Sequence, residues 1–171
     1  MPMGKKILLI MRHGKSSWQV AGEDDFARPL LPLGVKRTTK IGKQLQKEGV
    51  LPELIVSSPA ERALKTAFCL ADAIKLSHKA VSTNDGLYFK TVNDYFDALY
   101  SAPEDVSTLM IVGHNPMVTD FANFFLSQKI DNMPTSGVLA LESDAKDWPS
   151  FVVAFRRVIF HLVPKNIENE K

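Results

Sequence analysis

Three apolar runs in the chain each end at a group of polar or small residues. They cover residues 7–11, 54–56 and 108–112. Short apolar runs of this kind predict strands that are buried on both faces of a sheet. The first run stops at Arg12-His13-Gly14, and the others stop at a serine pair and at a glycine-histidine pair. Polar side chains are therefore expected where each of the three strands ends.

A helical pattern follows the first strand between residues 34 and 49. Val35, Ile41 and Leu45 are spaced for one face, and lysines and arginines lie between them. Gly49 is typical of a helix end, because glycine adopts the left-handed conformation at low cost. We interpret the basic face of this helix as solvated.

The second strand is followed by residues that are typical of a helix start. Ser58 is the predicted N-cap, Pro59 the first helical residue, and Glu61 completes a capping box three residues after the cap. The helix should continue to about Ile74. Arg62 is consequently expected in its first turn.

The later part of the chain predicts a change in the sheet. The third strand leads into an apolar helical segment, and residues 95–100 predict a further helix with Phe96 and Leu99 buried. Residues 138–141 and 158–163 predict strands separated only by a loop or short helix, so the sheet should end in an antiparallel part. We predict an α/β protein with three α/β/α layers and a mostly parallel sheet.

Composition narrows the class of protein. The chain has 171 residues, 45% of them hydrophobic and 23% charged, with a formal net charge of +2. We expect one globular domain over residues 1–171 rather than a disordered chain, and no nucleic-acid partner, because the charge is low and mixed in sign. No apolar stretch approaches the roughly 20 residues that span a bilayer. Cys69 is the single cysteine, so we expect a reducing, cytoplasmic location without membrane contact.

The residues at the strand ends have the chemistry of an anion site. In α/β sheets, ligands bind beyond the carboxyl ends of the strands. Arg12, His13, Arg62 and His114 should meet at that edge, with no evident carboxylate among them. Arginine matches phosphate oxygens, and a neutral imidazole can act as a nucleophile.

Each of these residues also has a structural explanation. A histidine after a buried strand is often a satisfied polar residue, and this holds for His13 and His114. Arg62 lies poorly in the first turn of a helix, where the helix dipole favours acids. An anion at the site would explain its position, and so would an ion pair with Glu61 or Asp72.

Other motifs do not fit their usual functions. Gly14, Lys15 and Ser16 are similar to the end of a P-loop, but the first glycine of that motif would fall at Leu9, inside a strand. Cys69 lies on an apolar helical pattern without an arginine six residues later, so we interpret it as a core cysteine. The histidines lack zinc-ligand spacing. No metal and no cofactor are predicted.

Five motifs occur in order along the chain. They are Arg12-His13-Gly14-Lys15-Ser16-Ser17-Trp18, Arg28-Pro29-Leu30, Ser57-Ser58-Pro59 with Arg62, Val112-Gly113-His114-Asn115-Pro116, and Met133-Pro134-Thr135 with Gly137. This ordered set resembles the histidine phosphatase superfamily, which has the phosphoglycerate-mutase-like fold. It is most similar to the short bacterial SixA-type phosphohistidine phosphatases. The resemblance runs from residue 7 to about residue 164.

The resemblance implies roles for the residues at the strand ends. His13 would be the nucleophile that is transiently phosphorylated, and Arg12, Arg62 and His114 would hold the phosphoryl oxygens. Phosphoryl transfer depends mainly on positioning and electrostatics, so a site without a metal can suffice. Ser16 is a further candidate phosphate contact.

His13 must attack as a neutral ring with one nitrogen fixed by a hydrogen bond. A backbone carbonyl near Gly14 is the candidate acceptor. The neighbouring arginines should lower the pKa of His13. We nevertheless expect activity to fall in acid as His13 is protonated, with a clear loss by about pH 5.

The stretch that corresponds to the family's general acid contains no glutamate. It reads Asn84-Asp85-Gly86-Leu87-Tyr88, in which Asp85 is the only possible acid and Asn-Asp-Gly favours a turn. The imidazole of phosphohistidine leaves more readily than an alkoxide, and the short chain leaves little room for a large lid. We therefore expect phosphohistidine in a protein as substrate. A phosphatase of small phosphomonoesters with Asp85 as acid and a non-catalytic phosphoryl-binding module remain alternatives, and the oligomeric state is open.

Overall fold

Six strands form one sheet within residues 4–18 and 21–167, the part of the chain that the computed structural model describes. In chain order they are β1 (Lys6–Arg12), β2 (Leu54–Ser57), β3 (Val81–Thr83), β4 (Thr108–Gly113), β5 (Val138–Ser143) and β6 (Arg157–Leu162). Across the sheet the order is β3-β2-β4-β1-β5-β6. The strands β3, β2, β4 and β1 run parallel to one another. β5 runs antiparallel to β1, and β6 runs antiparallel to β5. The predicted antiparallel end of the sheet is confirmed.

Helices cover both faces of this sheet. They are α1 (Pro32–Glu48), α2 (Glu61–Ile74), α3 (Val92–Tyr100), α4 (Met117–Phe125) and α5 (Trp148–Val153). Alternate residues of β1 enter two separate cores, since Leu9 packs with α1 and α2, whereas Leu8 packs with α3, α4 and α5. The three-layer α/β/α architecture is therefore confirmed. No helix of the described residues is long and apolar enough to cross a membrane.

The helix after β1 ends as expected but begins earlier. Pro32 occupies the first helical position of α1, two residues before the predicted start. Ile41 and Leu45 are fully buried, whereas Val35 is 44% exposed, so Val35 does not share their buried face. Gly49 ends the helix with φ 69°, the left-handed conformation that favours glycine there.

The predicted capping box at the start of α2 is wrong. The helix begins at Glu61, and no side chain caps it. Ser58 instead continues the strand, because its N–H donates to the carbonyl of Val112 at 3.0 Å. The Ser58 hydroxyl accepts a hydrogen bond from the N–H of Ala60 and also contacts a histidine, described below. Arg62 lies in the first turn of α2, as predicted.

Two further details differ from the sequence pattern. In α3, Leu99 is buried as predicted, but Phe96 is only partly buried and Tyr95 takes the central core position. The strand β3 has a single partner strand, β2, and two of its three residues are exposed. Such a short and polar segment has no apolar run that would predict a strand.

Candidate active site

The carboxyl ends of three neighbouring strands form the site. The strands β2, β4 and β1 lie side by side, and Arg12 pairs in register with Gly113. His13 extends this ladder, because its N–H donates to the carbonyl of Gly113 at 3.0 Å. His114 follows β4 directly, and its ring centroid lies 5.1 Å from that of His13. The sheet thus brings the residues after β1 and after β4 together, and Arg62 joins them from the start of α2.

A hydrogen bond to the backbone fixes the ring of His13. Its Nδ1 lies 2.7 Å from the carbonyl oxygen of Gly14, the acceptor expected from the sequence. A carbonyl can only accept, so Nδ1 carries the proton and Nε2 has the free lone pair. His13 is 7% exposed. The free lone pair allows Nε2 to act as a nucleophile in this tautomer.

Burial and charge together keep His13 neutral. Loss of solvation, with smaller contributions from the charges of the neighbouring arginines, lowers its pKa to about 3, against the opposing effect of the Gly14 hydrogen bond. The direction agrees with the sequence-based expectation, although burial rather than the arginines is the largest cause. A pKa near 3 leaves the ring neutral at pH 5, so a loss of activity caused by protonation of His13 is expected only at lower pH than the sequence suggests.

His114 is held from two sides. Its Nε2 lies 2.7 Å from the hydroxyl of Ser58, and its backbone N–H donates to the hydroxyl of Tyr95 at 3.0 Å. Loss of solvation lowers the pKa of His114 to about 2, with smaller contributions from His13 and Arg62. When the Ser58 hydroxyl donates to Nε2, the buried Nδ1 carries a proton that is available to an anion.

The same tyrosine explains why β4 ends in glycine. A Cβ atom on Gly113 would lie 2.0 Å from the hydroxyl oxygen of Tyr95. That hydroxyl donates to the carbonyl of Leu87 while it accepts from His114. The close approach of backbone and phenol therefore positions His114 and leaves no space for a side chain at Gly113.

Each arginine of the site uses only part of its guanidinium within the protein. Arg12 Nη1 donates to the carbonyl of Met133 at 2.9 Å, and Arg62 Nη1 donates to the carbonyl of Asp25 at 2.7 Å. Five buried side-chain nitrogen or oxygen atoms of the described residues lack a hydrogen-bond partner, and three of them are Arg12 Nε, Arg62 Nε and His114 Nδ1. Buried polar atoms are rarely left unpaired. Their concentration here fits an oxyanion ligand.

Asp25 is the site residue that the sequence pattern did not reveal. It lies in a short 3-10 turn (Asp25–Ala27), and its Oδ2 accepts from Arg62 Nη2 at 3.1 Å and from the Tyr88 hydroxyl at 2.8 Å. Its Oδ1 accepts from Arg28 Nη1 at 2.8 Å. The expectation of no carboxylate at this edge is therefore wrong. The ion-pair partner of Arg62 is Asp25, not Glu61 or Asp72.

Asp25 is held in its ionised form. Burial alone would raise its pKa, but hydrogen bonds from Tyr88 and Arg28 and the charge of Arg62 lower the pKa below its ordinary value. The carboxylate also raises the pKa of Tyr88 to about 12, together with burial, which is the largest cause. Asp25 thus orients Arg62 and does not supply a proton at neutral pH.

Two aromatic side chains line the outer part of the site. The ring centroid of Phe89 lies 4.9 Å from that of His114 and 5.6 Å from the Arg62 guanidinium carbon. The ring of Tyr88 lies 5.6 Å from that of His114. Phe89 is 49% exposed. An aromatic wall of this kind favours a flat or cationic group beside the phosphoryl site.

Ser16 and Asp85, the two remaining candidate residues, have other surroundings than the four central residues Arg12, His13, Arg62 and His114. The buried Ser16 hydroxyl accepts from Arg28 Nη2 at 3.1 Å, so Ser16 supports the loop that holds Asp25. Asp85 is exposed at the start of a 3-10 turn (Asp85–Leu87), and the neighbouring Asn84 side chain accepts the N–H of Gly86. The structure does not bring Asp85 into contact with the four central residues.

Cys69, the single cysteine, lies outside this arrangement. Cys69 is half-buried on α2, and its Sγ lies 3.5 Å from the carbonyl oxygen of Val35 on α1. It therefore packs between helices. No group of three or more potential metal ligands occurs among residues 4–18 and 21–167.

The chain is similar to known proteins in sequence and in fold. The model of the histidine phosphatase superfamily (branch 1) matches residues 8–87. An uncharacterised protein of Picosynechococcus sp. is 30% identical over 145 residues, which cover 81% of this chain and 86% of that protein. The structure of the candidate phosphohistidine phosphatase SixA from Agrobacterium tumefaciens has a TM-score of 0.76 and 25% identity, covering 96% of this chain and all of the other. The protein histidine phosphatase SixA in complex with tungstate has a TM-score of 0.75 and 22% identity, covering 95% and 99% of the two chains.

Proposed function

The chain belongs to the histidine phosphatase superfamily, and we propose that it removes phosphoryl groups from phosphohistidine in a protein through a covalent intermediate on His13. The observation that supports this most directly is the meeting of one neutral, oriented imidazole with three buried and unpartnered nitrogen atoms. A phosphoryl group offers three oxygens to such donors. The proposed substrate class agrees with the name of the similar SixA proteins.

In the first step, Nε2 of His13 attacks phosphorus, and the bond from phosphorus to the leaving nitrogen breaks. The substrate imidazole leaves as a neutral ring when its other nitrogen carries a proton. Arg12, Arg62 and His114 bind the equatorial oxygens, whose charge must be stabilised in the transition state. Their preorganised positions lower the barrier because little reorganisation is needed during the reaction.

In the second step, water attacks the phosphorus of phosphorylated His13. The Nδ1 proton remains in place through its hydrogen bond to Gly14, so the ring leaves as a neutral imidazole. The proton lost by water passes to solvent or to the inorganic phosphate. The tautomer of His13 therefore serves both attack and departure.

The leaving group is what favours phosphohistidine over a phosphomonoester. An alkoxide needs a proton donor, whereas Asp25 is ionised and Asp85 is exposed and separate from the four central residues. Protonated phosphohistidine carries its own proton on the leaving ring. The exposed Phe89 beside His114 also suits a planar imidazolium group.

Transfer of 32P from a phosphohistidine protein tests the proposal. Wild-type enzyme should show a transient label that is stable in alkali and labile in acid, and release inorganic phosphate. His13→Ala should lose the label and at least about 10³-fold in turnover, as is typical when a nucleophile is removed. His78→Ala is the matched control, because His78 is exposed and pairs with Asp72 on the surface.

The alternatives give different results in the same assay. A label on an acidic residue, or full turnover by His13→Ala, would contradict the mechanism. Faster turnover of p-nitrophenyl phosphate than of phosphohistidine, with strong loss in Asp85→Asn, would show a phosphomonoesterase. Binding of phosphate or tungstate without turnover of any labile donor would show a non-catalytic module.

A further inference from the structure

A second group of cations lies beside the phosphoryl site. A cavity of about 320 Å³ opens next to the end of β1, and half of its eight lining residues are Arg12, Lys15, Arg37 and Lys165. We call this cavity the basic cavity. Thr135 and Pro164 contribute to its remaining wall, and none of the lining residues among those that the structure describes is acidic.

Within the described part of the chain, the charges of the basic cavity have no ion-pair partner. Within residues 4–18 and 21–167, no ion pair joins Lys15, Arg37 or Lys165 to a carboxylate. Arg12 and Arg37 are half-buried, and burial lowers the pKa of Arg12. Like charges that converge in a partly desolvated cavity repel one another, so an anion bound among them is favoured.

The basic cavity shares one residue with the phosphoryl site. Arg12 lines the cavity and directly precedes His13 at the end of β1. A substrate that places its phosphoryl group on His13 can therefore place a second anionic group among Lys15, Arg37 and Lys165. Arg37 lies on α1, so the basic face of that helix is not only solvated.

A side chain that is typical of protein-binding surfaces lies against Lys15, beside the cavity. Trp18 is 81% exposed, and Lys15 Nζ lies 5.0 Å from the centre of its ring. Exposed tryptophan and arginine are enriched where proteins bind one another. Lys165 is also exposed, so the cavity is accessible to a large partner.

We propose that the basic cavity binds acidic side chains that flank the phosphohistidine in the partner protein. This inference rests on the proposed function and adds to it a rule for choosing among phosphoproteins. Carboxylates match the cavity in charge, and long-range attraction would also speed the encounter between the two proteins.

The test compares three donors with one pair of variants. The donors are phosphoramidate, a phosphohistidine peptide with flanking glutamates, and the same peptide with glutamines. The variant R37Q/K165Q removes two cavity charges, and K36Q/K65Q removes two exposed helix charges outside the cavity. Neither variant changes a residue that we place in the catalytic machinery.

We expect R37Q/K165Q to lower kcat/KM for the glutamate peptide about tenfold, since two partly exposed ion pairs are lost. Activity towards phosphoramidate and the glutamine peptide should stay within about twofold, and K36Q/K65Q should resemble wild type. The preference of wild type for the glutamate peptide should disappear in about 1 M salt, where the Debye length is about 3 Å.

Two results would overturn the inference while the proposed function stands. One is equal kcat/KM of wild type and R37Q/K165Q on the glutamate peptide. The other is an equal loss on phosphoramidate, which would assign the cavity to the phosphoryl group itself. Failure of the wild type to turn over phosphoramidate or either peptide would instead refute the proposed function.

Discussion

Acid should destabilise the protein through two histidines well before its carboxylates are protonated. Burial lowers the pKa of His13 to about 3 and that of His114 to about 2, whereas the ordinary value is 6.5. Below pH 6.5 these two histidines bind protons in the unfolded chain but stay neutral in the folded protein. The contribution of the two neutral histidines to the free energy of unfolding is therefore fully present above pH 6.5. It falls as the pH drops towards the folded pKa values.

The size of the effect follows from these values. Between pH 7 and pH 5 an unfolded histidine becomes almost fully protonated, while the folded ring stays neutral. Linkage then gives a loss of about 2 kcal/mol for each histidine, or about 4 kcal/mol for the pair. The lowered pKa of Asp25 acts below this range, since its ordinary value is 3.8. Such a loss is a large part of a typical free energy of unfolding.

Urea unfolding at pH 7, 6 and 5 measures this loss. The double variant H13Q/H114Q keeps polar side chains but cannot titrate at these positions, so its free energy of unfolding should fall about 4 kcal/mol less than that of wild type. His161, whose pKa is also lowered by burial, is present in both proteins and cancels. Equal pH dependence of the two proteins would refute neutral burial of His13 and His114.

Three other substitutions test the supporting contacts. Asp25→Asn should lower kcat/KM for phosphoramidate about tenfold, because Arg28 and Arg62 lose the carboxylate that orients them. The control Asp85→Asn should stay within about twofold of wild type. An equal loss in both variants would contradict the orienting role of Asp25. Ser58→Ala should cost about 1–3 kcal/mol in urea unfolding and also reduce kcat, because a buried nitrogen of His114 loses its partner. Gly113→Ala should lower the free energy of unfolding by about 1–3 kcal/mol or more, because its methyl group would overlap a buried tyrosine hydroxyl, and an unchanged melting temperature would exclude that overlap.

The sequence predicts the parts of the fold that depend on local pattern. The apolar run of β1 and the glycine after α1 act through burial and backbone conformation, which neighbouring residues determine. The position of polar residues at strand ends then follows from parallel topology. The meeting of His13 with His114 is thus predictable although the two residues are far apart in the chain.

Contacts that loops make are not predictable from such patterns. Asp25 reaches Arg62 from a segment 37 residues away in sequence and without periodicity. Its carboxylate could only be suspected from its place three residues before Arg28. Ser58 has the composition of an N-cap, yet the tertiary contact with His114 outweighs that local preference. Local propensity describes what a segment can do alone, and here the assembled site decides.

The place of β1 in the sheet has a consequence for biosynthesis. This first strand lies between β4 and β5, so Ile10 finds its two neighbours only at Ile111 and Leu139. A nascent chain carries His13 long before either neighbour of β1 has left the ribosome. Pairings that are distant in sequence form slowly, and unpaired apolar strands are prone to aggregate in the meantime. The candidate site at the end of β1 therefore forms late, when most of the chain has been synthesised.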